Sequence, residues 1–175
     1  ITGMYAISNG SQPMRSRYDF PHDRIPYYPD LLRKAGYHTS NPGKTDYNIG
    51  GRDDYDAWDV GKGQKVTYGW KKRAPGQPFF AVVNYGDSHE SKAHGDNENT
   101  RNDPAKMKLF SYHPDLPEIR KTYAKYADAV ENMDGKVGQC LAELEKDGLA
   151  EDTIVIYCSD HGGVLARSKR FVYSS

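Results

Sequence analysis

Residues 153–163 constrain most strongly what this chain can fold into. Their sequence is Thr-Ile-Val-Ile-Tyr-Cys-Ser-Asp-His-Gly-Gly, an apolar run of strand length that ends abruptly in an acid, a histidine and two glycines. Buried parallel strands have such continuous apolar runs, and polar groups gather at their carboxyl ends. The pattern predicts a core strand that presents Asp160 and His161. A basic cluster follows at 167–170, and metal-type ligands beside positive charge suit a phosphate or sulfate ester. A strand followed by an ordinary polar turn is the alternative.

Two further strand-like segments lead into polar clusters. Residues 37–40 precede a loop that contains Lys44, and the apolar run 78–84 leads directly to His89. One such cluster can arise by chance, but three are better explained by a shared crevice at the edge where parallel strands end. The sequence therefore predicts an α/β fold with a mostly parallel central sheet flanked by helices.

Two segments have the periodicity of helices. The shorter begins at Pro29 and ends before Gly36, and the longer begins at a capping box over residues 115–118 and ends before Gly148. The apolar stripe of the longer helix is predicted to pack on a sheet, although it also fits a coiled-coil seam. Three acidic positions are predicted to form the solvated face of this helix: Asp128, Glu131 and Asp134.

The charge balance limits the classes of partner. The chain has 24 Lys and Arg against 24 Asp and Glu, so its formal net charge is zero. Nothing argues for general affinity for nucleic acid or membranes, and any basic character must be local.

Residues 50–77 are rich in Gly, Asp and Lys and are predicted to form a long loop region with a hairpin around 61–69.

The length of 175 residues fits one domain. The chain begins without an initiator methionine and stops just after a second apolar run, so residues 1–175 are expected to be part of a larger catalytic domain. Cys140 and Cys158 are expected to be buried thiols or an incidental pair.

Several stretches, taken in chain order, match one known family. They are residues 2–5, 8–10, 31–37, 43–45, 79–90, 152–162 and 169–170. Together they resemble the sulfatases of the alkaline phosphatase superfamily, particularly bacterial enzymes similar to heparan N-sulfatase, arylsulfatases and choline sulfatases. The resemblance implies an incomplete alkaline phosphatase-like fold. It also implies a sulfuric ester hydrolase that cleaves a sulfate ester or N-sulfate, for instance on a carbohydrate.

The resemblance also implies a role for each candidate site residue. Asp160 and His161 would be two ligands of a divalent metal, usually calcium in this family, with magnesium or zinc as alternatives. Lys44 would contact the sulfate and the nucleophile, and Lys169 would neutralise the sulfate. His89 would bind the bridging oxygen of the ester and protonate the leaving group. Such a set fits the chemistry, since cations stabilise charge on the nonbridging oxygens and a histidine serves as general acid.

The sequence departs from the family pattern at the nucleophile. Sulfatases use a formylglycine made from the cysteine of a Cys-x-(Pro/Ala)-x-Arg motif, and neither Cys140 nor Cys158 stands in one. The resemblance places that motif, and the aspartate pair that would complete the metal site, upstream of Ile1. The chain by itself is therefore expected to be inactive. His161 stands where calcium sulfatases often have asparagine, and calcium prefers oxygen donors, so the identity of the metal stays open.

Two other functions remain open at this point. One is a metal-dependent phosphomonoesterase or phosphodiesterase of the same superfamily, and the other is an inactive fragment that only binds anions. The expected partner is a small anionic ester, a sulfated saccharide among the candidates, with neither nucleic acid nor a membrane as partner. The family suggests a periplasmic or secreted protein.

Overall fold

The computed structural model describes residues 1–13, 15–52, 54–93 and 99–165. The chain forms two compact units, Ile1–Asn84 and Tyr85–Ser175. That residues 1–175 are part of one catalytic domain stays a prediction.

A parallel pair of strands lies at the centre of the first unit. Strand β1 (His38–Ser40) pairs with strand β2 (Phe79–Ala81), with His38 opposite Phe79. All three residues of β1 are buried. On the other edge of β1, Ser40 forms a parallel bridge with Val60. This parallel sheet, with helices in the same chain, confirms the predicted α/β class.

Of the two helices of the first unit, α2 begins and ends close to the predicted positions, whereas α1 was not predicted. Helix α1 covers Ala6–Asn9, and helix α2 covers Tyr28–Lys34, with Pro29 in its first turn. Gly36 follows α2 with φ +93°, a conformation that glycine adopts without strain. An aromatic core lies beside α2 and is made of Phe20, Tyr27, Ile49, Ala57 and Trp58.

The predicted hairpin around residues 61–69 is wrong. The chain makes a turn in which the Gln64 N–H donates to the Gly61 carbonyl, and a 3₁₀ helix then runs over Gly69–Lys72. An earlier 3₁₀ helix covers Asp54–Ala57. The physical reason is Trp70, which is 3% exposed and lies 6.0 Å from the Phe79 ring between ring centroids. Burial of this large ring against β2 determines the path of the segment.

The second unit is dominated by one long helix. Helix α3 (Glu90–Ala93) and a 3₁₀ helix (Pro104–Lys106) precede helix α4 (Pro117–Lys146). Gly148 follows α4 with φ +69°, so the predicted end of this helix is confirmed. In the ranges that the structure describes, no helix is both long and apolar enough to cross a membrane.

Two expectations about the polar residues of α4 are wrong. Asp115 does not cap the helix, because its carboxylate accepts from the Arg120 guanidinium at 2.5 and 2.8 Å. Asp128 is not simply solvated either. It accepts from the backbone N–H groups of Arg101 and Asn102 at 2.8 and 3.0 Å. The acidic face of α4 therefore fixes the preceding loop.

The predicted core strand at 153–158 is also wrong. The segment is not in a strand, and Ile154 and Ile156 are 90% and 80% exposed. An apolar run becomes a sheet strand only where its backbone groups find a partner strand. In the described part of the chain the two named strands are β1 and β2, and they pair with each other. The expectation of buried or paired cysteines is also wrong. Cys158 lies in this exposed segment, Cys140 is half-buried in α4, and both are free.

Candidate active site

Lys44 lies in the loop that leaves β1 at its carboxyl end, as predicted. Its side chain is exposed, whereas the neighbouring Thr45 is 2% exposed. Gly43 packs so closely on Asn84 that an added Cβ would come within 2.5 Å of the Asn84 Nδ2 atom. The loop is therefore held against Asn84, three residues beyond the end of β2, and it presents the Lys44 ammonium to solvent.

Two asparagines hold the ends of the two strands together. Asn41 follows β1, and its Oδ1 accepts from Asn84 Nδ2 at 2.7 Å. Asn41 Nδ2 donates to the Lys44 carbonyl at 3.1 Å and to the Tyr47 hydroxyl at 3.2 Å. Trp58 Nε1 also donates to that hydroxyl, at 2.7 Å. This network links the Lys44 loop to the aromatic core, which favours one position of the loop.

His89 is exposed, and its imidazole tautomer follows from its contacts. The backbone N–H of Ser91 donates to His89 Nδ1 at 3.3 Å, and the Ser91 hydroxyl lies 3.1 Å from the same atom. An N–H group can only donate, so Nδ1 accepts and Nε2 carries the proton of the neutral ring. The Nε2–H group therefore is available to a ligand oxygen.

The segment that carries His89 is attached to α4. Lys136 Nζ donates to Asp87 Oδ1 at 2.6 Å, and the Tyr85 hydroxyl donates to the Lys136 carbonyl at 3.1 Å. Ser88 Oγ lies 3.9 Å from the Met133 sulfur. Three successive contacts thus hold the chain just before His89 on one stretch of the helix.

Asp160 and His161 lie side by side. His161 Nδ1 lies 2.7 Å from the Gly162 carbonyl oxygen, which can only accept, so Nδ1 carries a proton. In the neutral ring this leaves the Nε2 lone pair available, and Nε2 lies 3.5 Å from Asp160 Oδ1. A histidine that donates its other N–H to a backbone carbonyl is the usual arrangement of a metal-bound imidazole.

The Asp160–His161 pair fits part of a metal site. A carboxylate oxygen together with an imidazole nitrogen suits zinc better than calcium or magnesium, both of which prefer oxygen ligands. Among the residues that the structure describes, no group of three or more His, Cys, Asp or Glu side chains could hold a metal ion. This pair offers two donor atoms, which is fewer than a protein metal site uses.

The segment around this pair also contacts α4. Tyr157, three residues before Asp160, places its hydroxyl 3.8 Å from the Met133 sulfur. An added Cβ at Gly163 would come within 2.8 Å of the Tyr126 hydroxyl, so glycine permits a close approach there. Met133 therefore contacts both the segment that carries His89 and the segment that leads to Asp160.

The predicted site residues fall into three groups. Lys44 belongs to the first unit, whereas His89, Asp160 and His161 belong to the second. Lys169 and the rest of the basic cluster lie outside the described residues. Sequence reasoning missed Asn41 and Asn84, which support the Lys44 loop. Their position was the only sign of this role, because Asn41 directly follows one strand-like run and Asn84 ends the other.

The comparisons with known proteins bear on the family to which the chain belongs. The sulfatase family model matches residues 1–172. The ulvan-active sulfatase of Formosa agariphila is 32% identical over 222 aligned residues, which cover 99% of this chain and 36% of that protein. The steryl-sulfatase of Rattus norvegicus is 47% identical over 58 residues, covering 32% of this chain and 10% of that protein. Arylsulfatase H of Homo sapiens is 46% identical over 46 residues, covering 26% and 8%.

The chain spans about a third of the length of the ulvan-active sulfatase and smaller parts of the other two. No solved structure matches it. A family model that covers nearly every residue, together with a relative aligned over 99% of the chain, nevertheless decides the family. The chain belongs to the sulfatase family.

Proposed function

We propose that the protein carrying this chain is a sulfuric ester hydrolase, which cleaves a sulfate ester or N-sulfate of a saccharide. The observation that carries the proposal is the match of the sulfatase family over residues 1–172. The similarity to an ulvan-active sulfatase supports a saccharide as substrate. The chain contributes cationic, acid and metal-ligating groups to the site.

In this proposal Lys44 binds a nonbridging oxygen of the sulfate. An ammonium fixed beside the substrate stabilises charge that develops in the transition state, which is commonly the largest single contribution to catalysis. The support is local: the carbonyl of Lys44 is held by Asn41, and its side chain is exposed at the carboxyl edge of the parallel pair. Lys169 would add a second positive charge.

His89 acts as the general acid. It does so in its protonated form, in which Nδ1–H donates to the Ser91 hydroxyl 3.1 Å away. Nε2–H donates to the bridging oxygen, and its proton passes to the departing alkoxide or amine. Asp160 and His161 would hold a divalent metal, which supplies charge neutralisation at the sulfate. A formylglycine, expected from the family resemblance, would supply the nucleophile.

The role of Lys44 can be tested by turnover of an activated aryl sulfate. Lys44→Ala is expected to lower kcat/KM by about 10²–10³-fold, the cost of removing one charge-stabilising donor. Lys34→Ala is the matched control, because Lys34 is also an exposed lysine of the first unit and lies in the last turn of α2. Equal activity of Lys44→Ala and Lys34→Ala would exclude Lys44 from the site.

The role of His89 can be tested by varying the leaving group. His89→Ala is expected to lower the hydrolysis of an alkyl or sugar sulfate by about 10²–10⁴-fold, and that of an activated aryl sulfate much less, because a good leaving group needs no proton. Equal losses on both substrates would remove the general-acid role. Faster release of phosphate than of sulfate from matched esters would favour the phosphatase alternative.

A further inference from the structure

A strongly basic segment lies in the first unit, outside the residues to which the proposed function gives a role. Residues 61–77 contain five basic side chains and no acidic one, although the whole chain has a formal net charge of zero. The basic residues are Lys62, Lys65, Lys71, Lys72 and Arg73. Four are exposed lysines, whereas Arg73 is half-buried. A local excess of positive charge of this kind attracts negatively charged ligands.

The fold gathers these charges into one patch. Residues 61–68 form a loop whose two ends both meet Ser40. Val60, just before the loop, is bridged to Ser40, and Gly69, just after it, packs so closely that an added Cβ would overlap the Ser40 side chain. Eight residues span at most about 29 Å when fully extended, so a loop that returns to its start reaches no further than about 14 Å. Lys62 and Lys65 therefore lie close to Ser40, and Lys72 lies near it too, because it ends the single-turn 3₁₀ helix that begins at Gly69. At low ionic strength the fields of these charges add.

The patch starts at the same edge of the sheet as Lys44. The bridge between Val60 and Ser40 is parallel, so the chain leaves both residues in the same direction. From Ser40 it continues to Asn41 and the Lys44 loop, and from Val60 it continues to Lys62. The Asn41 N–H donates to the Val60 carbonyl at 2.8 Å, which holds the two exits together.

The base of the patch is rigid, whereas its charges are exposed. Trp70 anchors the 3₁₀ helix in the interior, and Arg73 donates to the Trp70 carbonyl at 3.1 Å. Three of the lysines form no ion pair within the described residues: Lys62, Lys65 and Lys72. These charges are therefore available to a ligand.

We propose that Lys62, Lys65 and Lys72 form a second anion-binding surface, which binds sulfate groups of a polysulfated saccharide beside the group that is cleaved. The proposal rests on the proposed function for its choice of ligand. Single-stranded nucleic acid would need exposed aromatic faces for stacking. Here Trp70 is 3% exposed, and its ring stacks on Tyr68 at 4.9 Å between centroids. A saccharide that carries several sulfates needs only the spaced cations.

Binding of dextran sulfate to the chain tests the proposal without requiring turnover, so its result is independent of sulfatase activity. The variant Lys62→Gln/Lys65→Gln/Lys72→Gln is expected to bind about tenfold or more weakly at low salt, with a shallower dependence of log Kd on log salt, because fewer counterions are released. The matched control is Lys106→Gln/Lys108→Gln/Lys146→Gln, which removes the same charge from exposed lysines of the second unit. It should bind like the wild type.

Two results would overturn the proposal. Equal weakening in both triple variants would mean that only net charge matters. Tighter binding of single-stranded RNA than of dextran sulfate, at equal salt and equal charge density, would assign the surface to nucleic acid. Neutral dextran should not bind, and circular dichroism of both variants should match that of the wild type.

Discussion

The Asp30–Arg52 ion pair gives the most quantitative prediction of the structure. The Arg52 guanidinium donates two hydrogen bonds, of 2.5 and 2.8 Å, to the Asp30 carboxylate, and Arg33 donates a third at 2.5 Å. Arg52 and Arg33 also both donate to the Asp56 carbonyl. The cluster therefore ties α2 to the chain that enters the aromatic core.

The size of the effect follows from the pKa of Asp30. The hydrogen bonds from Arg52, followed by that from Arg33, lower this pKa from 3.8 to about 2 despite the opposing effect of burial. A shift of nearly two units corresponds to about 2.5 kcal/mol of stability at neutral pH. The Asp30 side chain is 24% exposed, so solvent screening reduces the expected value to about 1–2 kcal/mol.

The perturbation is Asp30→Asn, and the assay is urea unfolding followed by tryptophan fluorescence. Trp58 and Trp70 are the two tryptophans of the chain and both lie in the first unit, so the signal reports that unit. At pH 7 the variant should be less stable by about 1–2 kcal/mol. A carboxyl group whose pKa is lowered by folding stabilises the folded state at pH values above its ordinary pKa. This stabilisation is lost as the pH falls towards the lowered pKa. The difference should therefore shrink between pH 4 and 2, to about half at pH 3.

Asp115→Asn is the matched control for this experiment. Asp115 makes the same two-bond contact with Arg120, but its side chain is 68% exposed. Water competes well for such a pair, so its removal should change stability less than the removal of Asp30. An Asp30→Asn effect that is absent at pH 7, or unchanged from pH 7 to pH 3, would refute the reasoning.

Three further predictions follow from single contacts. Burial, with the nearby Tyr47 acting in the same direction, raises the pKa of Tyr28 to about 12. The wild type should therefore lose stability relative to Tyr28→Phe as the pH rises from 10 towards 12, and unfolding measured at several pH values tests this. Asn41→Ala should lower both the melting temperature and turnover, the latter by about tenfold, because the loss of a buried polar partner costs about 1–3 kcal/mol; unchanged values in both assays would contradict the network. Lys136→Met removes the contact that holds Asp87, and with it the position of the nearby His89. The variant should therefore lower kcat more than it changes KM, and a change in KM alone would contradict a positioning role for Lys136.

Local signals predicted helices α2 and α4 well, whereas the single-turn helices α1 and α3 were missed. Pro29 and Gly36 delimit α2, and Gly148 follows α4, because first-turn prolines and left-handed glycines act through the backbone of their own segment. The strand β1 was predicted equally well. These features need no knowledge of distant residues.

The sequence predicted that β1 and β2 belong to one parallel sheet, but other contacts between distant residues could not be predicted. The run at 153–158 has the composition of a buried strand, yet composition does not supply the partner whose hydrogen bonds define a strand. Likewise, Asn41 and Asn84 are 43 positions apart, and only the parallel pairing of β1 with β2 brings them within 2.7 Å. Asp115 shows that even a short-range contact can be missed. Its sequence pattern predicts a helix cap, but its carboxylate pairs with Arg120 instead.

The site shows the same division between local and distant signals. The placement of Lys44 beyond β1 and the contact between Asp160 and His161 followed from chain order alone. The tautomers of His89 and His161 did not, because each depends on a backbone group that sequence reasoning cannot orient. The attachment of the His89 segment to Lys136 joins residues 49 positions apart, and no pattern in the sequence marks it.

The most direct test of the central claim is a comparison of sulfate and phosphate release by the protein that carries this chain. The same aryl alcohol is offered as its sulfate and as its phosphate ester, and kcat/KM is measured for each by ion chromatography of the released anion. The account predicts that the sulfate ester is strongly preferred and that Lys44→Ala abolishes most of this activity. Preference for the phosphate ester, or sulfate release that is unaffected in Lys44→Ala, would contradict it.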